Sequence, residues 1–519
     1  MKKFFLTTDF FKKGTSFFIV LLLPFLINAQ PDIIWQNSWG GTLDDQAQSS
    51  HLTQDGGMIL AGFTESNDGN VTGNHGAKDF WVVKVDSNGI LEWQRAYGGT
   101  ADDRANSIIQ ALDGGYIVAG STASNDGDVS FNHGSRDFWV LKLDGAGNIV
   151  WEQTYGGSNN EDAQSIIQTS EGGYLVAGHS YSSNGDVGAN NGIQDYWMVK
   201  IDPTGGIQWE KNFGGSAMEY AWAVKQTSDD GYIVVGDSES SDGDVSGNQG
   251  GRDFWIVKTD SFGTLEWETN YGGSENDRPK DVLQTNDGGY FVVGNSDSND
   301  GDISNHYDWD DVWLLKLDAS GNLEWEKSYG GSFGDFGETI IQTDTGDFII
   351  GSSSQSSDGD VGNNHGNFDC WLFQIDISGT IAWERSYGGS HHDYINAIGL
   401  NDDGNLLFGG YSYSDDGEIT GNHGASDFIS LQLESLLSSP EVSIVPIELY
   451  PNPVANSLYI KAGVPVTEIY ITNLLGQQVF HKKGADISSI NLNSLSKGDY
   501  ILVASLQEGK KYTQKILKQ

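Results

Sequence analysis

Short apolar runs separated by turns rich in Gly and Asp predict a chain built of β-strands. The segment 106–155 contains four such runs, at residues 107–110, 116–121, 138–143 and 149–155. Their branched and aromatic side chains favour strands. Asp113-Gly114-Gly115 and Asp144-Gly145-Ala146-Gly147 are typical of tight turns, because Gly adopts positive φ at low cost. A longer polar loop joins the second run to the third, so the pattern predicts a four-stranded sheet.

This four-stranded pattern repeats with a period of 58 residues. Seven tryptophans mark the period: Trp35, Trp93, Trp151, Trp209, Trp267, Trp325 and Trp383. Gly-Gly pairs keep the same step at 40–41, 98–99, 156–157, 214–215, 272–273, 330–331 and 388–389. A repeated four-stranded unit is the blade of a β-propeller, and seven copies predict an all-β, seven-bladed propeller over residues 30–434. A linear solenoid is the alternative, and it would need distinct polar caps at its ends.

The phase of the repeats predicts how the propeller closes. Ile33 to Trp39 matches a fourth strand with no blade before it, and Phe428 to Leu433 matches a third strand with no fourth strand after it. The N-terminal strand is therefore expected to complete the last blade. That pairing protects both open sheet edges.

The N-terminus has the pattern of a secretory signal peptide over residues 1–29. Four lysines precede the apolar run 17–26, and small residues follow it. The run is too short to span a membrane, which takes about 20 residues. No other stretch is apolar enough, so we expect no transmembrane segment in the mature chain. A buried N-terminal helix is the alternative.

Charge divides the chain into three parts. Residues 30–440 carry a formal net charge of −49, whereas the leader carries +3 and the tail +2, which together give −44 for the chain. Such an acidic body repels phosphate backbones, so we expect no nucleic-acid partner. Cys370 is the single cysteine, which excludes disulfides and Cys-based zinc clusters. It replaces Phe, Tyr or Val of other copies and is expected to be a packed core thiol.

The tail begins after a predicted linker, residues 435–446. Residues 447–519 hold six short alternating runs separated by turns, which predict a small Ig-like sandwich. Three blocks stand out: Leu449-Tyr450-Pro451-Asn452-Pro453, Asn473-Leu474-Leu475-Gly476-Gln477 and Leu495-Ser496-Lys497-Gly498-Asp499-Tyr500.

Those blocks, in that order at the C-terminal end, closely resemble the type A sorting domain of type IX secretion substrates. The resemblance covers about 70 residues and implies recognition by the type IX machinery in a Gram-negative bacterium of the Bacteroidetes. It implies a secreted or cell-surface protein. The alternative is an ordinary Ig-like binding module. The body also resembles, more loosely, the secreted propeller repeats joined to such tails.

Repeated acids in the long loop predict calcium binding. Carboxylates that alternate with Gly are suited to Ca²⁺, which takes six to eight oxygen ligands. The predicted ligands are Asp126, Asp128, Asp137, Asp242, Asp244, Asp253, Asp300, Asp302, Asp311, Asp358, Asp360 and Asp369. A further acid per blade is expected to form a ring in the inter-blade loops: Asp45, Asp103, Glu161, Glu219, Asp277, Asp335 and Asp393. The alternative is loop capping, because Asp side chains accept hydrogen bonds from nearby N–H groups.

Other recurring residues favour packing over chemistry. Five loop histidines lie in separate blades, so they cannot converge on one transition metal, and loop packing is expected of them: His75, His133, His306, His365 and His423. Tryptophans at one position in every blade are expected between blades. Trp222 and Trp309 depart from the repeat and could stack on a ligand.

The sequence therefore predicts a secreted, non-enzymatic propeller that binds a glycan or a protein partner. Seven similar units would offer repeated weak sites and avidity. The alternative is a carbohydrate-active enzyme with its site on the acidic face. No nucleophile elbow, phosphate loop or HExxH motif is present. Convergence of His392, Asp308 and Arg278 on one pocket would favour the enzyme.

Overall fold

Seven four-stranded antiparallel sheets follow one another along the chain in a computed structural model, which confirms the predicted seven blades. The structure describes residues 30–307, 309–435, 448–462, 465–473, 477–506 and 511–519. The predicted signal peptide and nearly all of the predicted linker lie outside these residues.

The strands of the propeller have nearly constant lengths. In chain order they are β1 (Ile33–Trp39), β2 (Asp45–Leu52), β3 (Met58–Thr64), β4 (Asp79–Val85), β5 (Leu91–Tyr97), β6 (Asp103–Gln110), β7 (Tyr116–Thr122), β8 (Asp137–Leu143), β9 (Ile149–Tyr155), β10 (Glu161–Gln168), β11 (Tyr174–Ser180), β12 (Asp195–Ile201), β13 (Ile207–Phe213), β14 (Glu219–Gln226), β15 (Tyr232–Ser238), β16 (Asp253–Thr259), β17 (Leu265–Tyr271), β18 (Asp277–Gln284), β19 (Tyr290–Ser296), β20 (Asp311–Leu317), β21 (Leu323–Tyr329), β22 (Asp335–Gln342), β23 (Phe348–Ser354), β24 (Asp369–Ile375), β25 (Ile381–Tyr387), β26 (Asp393–Leu400), β27 (Leu406–Ser412) and β28 (Asp427–Leu433).

Each blade runs from an inner strand to an outer strand in chain order. Blade one is β2 to β5, and blades two to six follow in the same way. The inner strands contact their neighbours, β2 touching both β6 and β26, so they surround a central channel. The second and third strands are almost wholly buried, and the outer strands are partly exposed. The core therefore lies between blades.

Blade seven closes as the sequence predicts. Strand β1 pairs antiparallel with β28, with Trp39 opposite Phe428 and Ile33 opposite Leu433. The Tyr387 hydroxyl donates a 2.7 Å hydrogen bond to the Pro31 carbonyl, which ties the entering chain to blade six. The N-terminal strand is thus the outer strand of the last blade.

Aromatic pairs between blades confirm the packing role of the third-strand tryptophans. The Phe80 and Trp139 ring centroids lie 4.6 Å apart, and Phe138 and Trp197 repeat the pair in the next blade. Trp139 is fully buried. Truncating a buried Trp to Ala costs about 3–5 kcal/mol. Cys370 is also fully buried, as expected of a core thiol.

The inner strands begin four residues earlier than the apolar pattern indicates. Strand β6 starts at Asp103, whereas apolar residues begin beyond Asn106. A β-bulge between Ala105 and Ser107 interrupts the pairing with β7. The strand begins with a buried acid, Asp103, followed by a partly exposed Arg104, so its first residues form no apolar run.

The tail contains two sheets with a shared apolar core, which confirms the predicted sandwich. Its strands are β29 (Glu448–Tyr450), β30 (Ser457–Lys461), β31 (Val466–Asn473), β32 (Gln478–Lys483), β33 (Ser489–Asn491), β34 (Gly498–Leu506) and β35 (Lys511–Lys518). One sheet has the order β29-β30-β33, and the other β32-β31-β34-β35. Strand β29 was not predicted. Among the described residues, no helix has the length and apolar character to cross a membrane.

Candidate functional site

The seven blades differ from one another around one end of the central channel. The second residue of each inner strand changes in chemistry from blade to blade, although the acid before it is always Asp or Glu: Gln46, Arg104, Asp162, Tyr220, Arg278, Phe336 and Tyr394. These side chains are partly exposed, whereas the preceding acids are buried. Because this position holds different residue types in different blades, the fold does not require one particular side chain there.

Three further positions vary in the same way beside it. They are the partner on the second strand (Phe63, Ser121, His179, Asp237, Asn295, Ser353, Tyr411), the residue after that strand (Glu65, Ala123, Tyr181, Glu239, Asp297, Gln355, Tyr413) and the residue before the third strand (Lys78, Arg136, Gln194, Arg252, Asp310, Phe368, Ser426). Ser66 and its six equivalents, one residue farther along, are all Ser. We call the four variable sets, which begin with Gln46, Phe63, Glu65 and Lys78 in blade one, the channel mouth.

Bulges add a further channel-facing residue to each inner strand. The register shifts between Ala47 and Ser49 in blade one and at the equivalent place in every other blade. The extra residues are Gln48, Asn106, Gln164, Trp222, Lys280, Glu338 and Asn396. A bulge re-aims a side chain, which places these residues beside the mouth positions.

An aromatic arc covers the mouth at blades six and seven. It consists of Phe336, Phe368, His392, Tyr394, Tyr411 and Tyr413. The Tyr394 ring stacks on Tyr411 at 4.9 Å and on Phe368 at 5.6 Å between centroids. His392 lies nearly parallel to Tyr394, with an angle of 7°. Tyr394, Phe368 and His392 are half-buried, so the arc presents aromatic surface to the channel.

A cation–aromatic cluster faces the mouth from blades four and five. The Arg252 guanidinium lies 4.4 Å from the Tyr220 ring centroid, and Lys280 Nζ lies 4.1 Å from that of Trp222. The Trp222 Nε1–H group donates a 2.6 Å hydrogen bond to Asp237. Burial raises the pKa of Asp237 to about 6, although Trp222 and Arg252 favour its charged form.

Most charges at the mouth are paired. Lys78 lies 2.9 Å from Glu65, and Arg252 lies 2.8 Å from Glu239. Within the described part of the chain, Arg278 has no ion-pair partner within 4 Å. The mouth is therefore a polar surface with partly exposed aromatic rings, and its charged side chains are of both signs.

The sequence analysis did not find the aromatic arc. It selected Trp222, which lies on an inner strand as predicted, and His392 and Arg278 as departures from the repeat. His392 and Arg278 lie in blades seven and five, on different parts of the mouth, and Asp308 lies outside the described residues. Trp309 is 62% exposed in its loop. The missed signal was the change of residue type at the second position of each inner strand.

The predicted calcium ligands fall into three environments. Asp126 and its equivalents Asp242, Asp300 and Asp358 are exposed; the Thr100 N–H donates a 2.8 Å hydrogen bond to Asp126. Asp128 and its equivalents Asp244, Asp302 and Asp360 are half-buried; the Gly98 N–H lies 3.2 Å from Asp128. Asp137, Asp253, Asp311 and Asp369 are fully buried at the start of the third strands. These hydrogen bonds agree with the capping alternative, and calcium stays a prediction.

The buried third-strand Asp meets the inner-strand acid of the next blade. Asp253 Oδ1 and Asp277 Oδ2 lie 2.6 and 2.7 Å from the point that a Cβ on Gly272 would occupy. The same arrangement recurs at every junction, in the pairs Asp427/Asp45, Asp79/Asp103, Asp137/Glu161, Asp195/Glu219, Asp253/Asp277, Asp311/Asp335 and Asp369/Asp393. The predicted ring of acids therefore exists, but it is buried between blades and does not lie on the surface.

Histidine contacts the third-strand Asp at four junctions. Nδ1 lies between 2.6 and 2.9 Å from the carboxylate in the pairs His75/Asp79, His133/Asp137, His365/Asp369 and His423/Asp427. This confirms the expected packing role for these four loop histidines. Asn191, Gln249 and Tyr307 take the place of His at the other three junctions.

Burial raises the pKa of the third-strand carboxyls. It reaches about 7 at Asp253 and Asp311, where the next blade's acid adds a like charge. Within the described ranges, no group of three or more His, Cys, Asp or Glu side chains is arranged to hold a metal ion.

A polar groove of about 450 Å³ lies away from the mouth, at the outer strands of blades six and seven. It is lined by Gln30, His365, Arg385 and Glu418, among others. Arg385 is already paired with Asp32 and Glu418 at 2.9 and 2.8 Å. We assign no role to this groove.

Comparison with known proteins identifies the tail. Residues 448–519 match the family described as the secretion system C-terminal sorting domain. The chain is therefore a type IX secretion substrate with a type A tail, and the sorting domain marks it for export and for recognition by that machinery.

One curated protein of similar sequence is a distant relative. The chain is 26% identical over 221 residues to the regulatory protein FlaEY of Caulobacter vibrioides, and the match covers 38% of this chain and 22% of that protein. The match thus spans about a fifth of the relative, and the activity of FlaEY is not carried over.

Solved structures with a similar arrangement have TM-scores below 0.5. Sqt1 from Chaetomium thermophilum is 9% identical with a TM-score of 0.42, over 78% of this chain and 99% of that one. YCF48 bound to D1 peptide is 11% identical with a TM-score of 0.41, over 80% and 100%. Puromycin hydrolase is 9% identical with a TM-score of 0.43, over 90% and 61%. Such values carry no argument about ligand or activity.

Proposed function

We propose that this secreted propeller binds a carbohydrate chain at the channel mouth, outside the cell. The observation that carries the proposal is the aromatic arc of blades six and seven, set into positions that vary in an otherwise regular repeat. Binding is the function and no reaction is assigned. The sorting domain delivers the body to the cell surface or the medium.

The chemistry of the mouth suits sugars. The faces of sugar rings carry C–H groups that pack on aromatic rings, and the sugar hydroxyls need hydrogen-bond partners at the ring edges. Tyr394 and Phe368 supply half-buried rings, while Gln46 and Tyr413 supply polar groups, joined by a 3.0 Å hydrogen bond. Concave sites with aromatic walls and a few polar groups are typical ligand sites.

The asymmetry of the mouth favours one site per molecule. Seven equivalent sites were expected from the similarity of the repeats, but most of the ring-bearing residues lie in two sectors. Blades six and seven carry the aromatic arc, and blades three and four carry Tyr181, Tyr220 and Trp222, whereas Phe63 stands alone in blade one. An extended ligand that crosses the channel would contact both sectors.

The first experiment is a glycan array probed with the mature chain, residues 30–519, and with two variants. Tyr394→Ser removes a central ring of the arc. Phe262→Ser is the matched control, because Phe262 is 73% exposed in a turn between the third and fourth strands of blade four. We expect wild type and Phe262→Ser to bind the same glycans and Tyr394→Ser to lose at least tenfold in affinity, about 1.4 kcal/mol.

Absence of binding to any glycan, or equal binding by all three proteins, would contradict the proposal. A protein partner at the same mouth would give no array signal. It would instead be captured from surface extracts in a Tyr394-dependent way. The enzymatic alternative is separated by assaying bound glycans for new reducing ends.

A further inference from the structure

One carboxylate in the channel, that of Glu338, has no ion-pair or hydrogen-bond partner among the described residues. Glu338 is the extra residue that the bulge adds to β22, the inner strand of blade six, and its side chain is half-buried. Burial raises the pKa of its carboxyl, and the positive charge of Lys280 only partly opposes this shift. Removing a carboxylate from water without a partner is costly, so the site favours a ligand with positive charge.

Asparagine at the equivalent position in other blades makes a contact that Glu338 cannot make. Asn396 Nδ2 donates a 2.6 Å hydrogen bond to the carbonyl of Ala47 on the inner strand of the next blade, and the asparagine of blade two makes the same contact at 2.8 Å. The equivalent carbonyl beside Glu338 is that of Ile395 in blade seven. An ionised carboxylate only accepts hydrogen bonds. The junction of blades six and seven therefore lacks the donor that asparagine supplies elsewhere.

The aromatic arc lies beside this carboxylate. Burial raises the pKa of Tyr394 and of Tyr411, and the negative charge of Glu338 adds to both shifts, so the carboxylate lies close to these two rings. Phe336, another member of the arc, is two residues before Glu338 on the same strand. Aromatic faces attract an ammonium group, as a carboxylate does. Rings next to an unpaired carboxylate thus stabilise a bound cation.

The charges at the mouth also favour a cation at this place. The eight described mouth residues of blades six and seven include no Lys, Arg, Asp or Glu: Phe336, Ser353, Gln355, Phe368, Tyr394, Tyr411, Tyr413 and Ser426. The lysines and arginines of the mouth lie in blades one, two, four and five: Lys78, Arg104, Arg136, Arg252 and Arg278. Lys280 Nζ lies over the Trp222 ring of blade four, 4.1 Å from its centroid. The net charge of −49 on the body attracts cationic ligands over longer distances.

We propose that the sugar chain bound at the mouth carries a free ammonium group, as an amino sugar without an N-acetyl group does, and that this group binds between Glu338 and the rings of the aromatic arc. The assignment of this sugar class rests on the proposed function of the mouth. The ammonium group supplies N–H donors, as the asparagine amide does in other blades, and its charge pairs with the carboxylate. An N-acetylated sugar has no positive charge and would leave Glu338 unpaired.

The first experiment compares two probes of equal length, a pentamer of glucosamine and its fully N-acetylated counterpart. Each is titrated into the mature chain, residues 30–519, by calorimetry at about pH 6, where the glucosamine amines carry a proton. We expect the glucosamine pentamer to bind at least tenfold more tightly than the N-acetylated one. Equal affinity for the two pentamers, or tighter binding of the N-acetylated one, would overturn the proposal. This comparison uses the wild-type chain and does not depend on any variant.

Two variants test whether Glu338 is the source of the preference. Glu338→Gln keeps the size of the side chain and removes its charge, so affinity for the glucosamine pentamer should fall at least tenfold while affinity for the N-acetylated pentamer stays the same. Glu275→Gln is the matched control, because Glu275 is exposed in the loop between blades four and five and loses the same charge. It should bind both pentamers as the wild type does. Equal losses in the two variants would mean that the general acidity of the body attracts the amine, and would overturn the proposal.

The variant Tyr394→Ser separates failure of this proposal from failure of the proposed function. If neither pentamer binds but other glycans bind in a Tyr394-dependent way, carbohydrate binding at the mouth stands and the ammonium group is refuted. If Tyr394→Ser binds every glycan as tightly as the wild type, the mouth is not the site and both proposals fail.

Discussion

Asp253 and Asp277 belong to neighbouring blades, yet both of their carboxylates lie against the same residue, Gly272. Both lie within 2.7 Å of the position that a Cβ on Gly272 would occupy. This relationship explains why the first Gly of every Gly-Gly pair recurs at 58-residue steps. The glycine is required by the close approach of two acids and not by its backbone angle.

Replacing that glycine should therefore destabilise the propeller. In Gly272→Ala the new methyl group would overlap both buried carboxylates, at a cost of about 1–3 kcal/mol. Chemical unfolding of the mature chain measures the loss. Gly145→Ala is the control, because its added Cβ would lie 3.5 Å from the Gly114 carbonyl oxygen, which is ordinary van der Waals contact. Equal stability of Gly272→Ala and wild type would show that the junction relaxes freely.

Stability in calcium-free buffer should fall as pH rises from 5.5 to 8. The pKa of Asp253 is raised to about 7, above its value of 3.8 in the unfolded chain, so the folded state holds the proton more tightly. Stability gained from that proton is present below pH 4 and is lost as pH rises through 7. Urea unfolding at several pH values measures the slope.

The variant Asp253→Asn isolates this contribution from that of other groups. Burial lowers the pKa of His179 to about 4, and this acts in the opposite direction between pH 4 and 6.5. The comparison is therefore the wild-type slope minus the variant slope. The variant should show a shallower decline, and identical slopes would contradict a titrating Asp253.

Removal of the closing strand should lower the melting temperature of the body. Deleting residues 31–39 exposes the edge of β28 and the apolar face of blade seven. We expect a fall of at least 5 °C, because a whole outer strand and its packing are lost. Ile34→Ser, at a residue that is 49% exposed on the same strand, should leave the midpoint unchanged. An unaltered midpoint for the deletion would refute closure by β1.

Removal of the tail should stop export. Without residues 447–519 the chain lacks its sorting domain, so in a host with a type IX system it should accumulate in the periplasm. Fractionation and immunoblotting measure the distribution. The matched control is the full chain expressed from the same promoter. Normal amounts of truncated protein in the medium would mean that the body carries its own export signal.

The architecture was predictable because the same residues recur at the same positions in all seven repeats. Trp151 and its equivalents showed the period, and the unmatched segments at Ile33 and Phe428 predicted the closure. Each recurring residue indicates local structure within one blade. Seven copies of the pattern make the assignment of each short apolar run to a strand unambiguous. The fully buried second and third strands were readable because their apolar runs are continuous.

The site was less predictable because it depends on contacts between blades. Asp253 meets Asp277 only through the arrangement of adjacent sheets, so a sequence pattern cannot show the pair. Tyr394 and Phe368 stack for the same reason. The bulge at Asn396 also changes which side chains face the channel, and the local sequence does not predict it.

A crystal structure of the mature chain with an array-selected oligosaccharide tests the central claim most directly. The account predicts electron density for sugar rings at the channel mouth, with ring carbons within about 4 Å of Tyr394 or Trp222. Sugar bound only at the outer strands or on the tail, with the mouth empty, would contradict it.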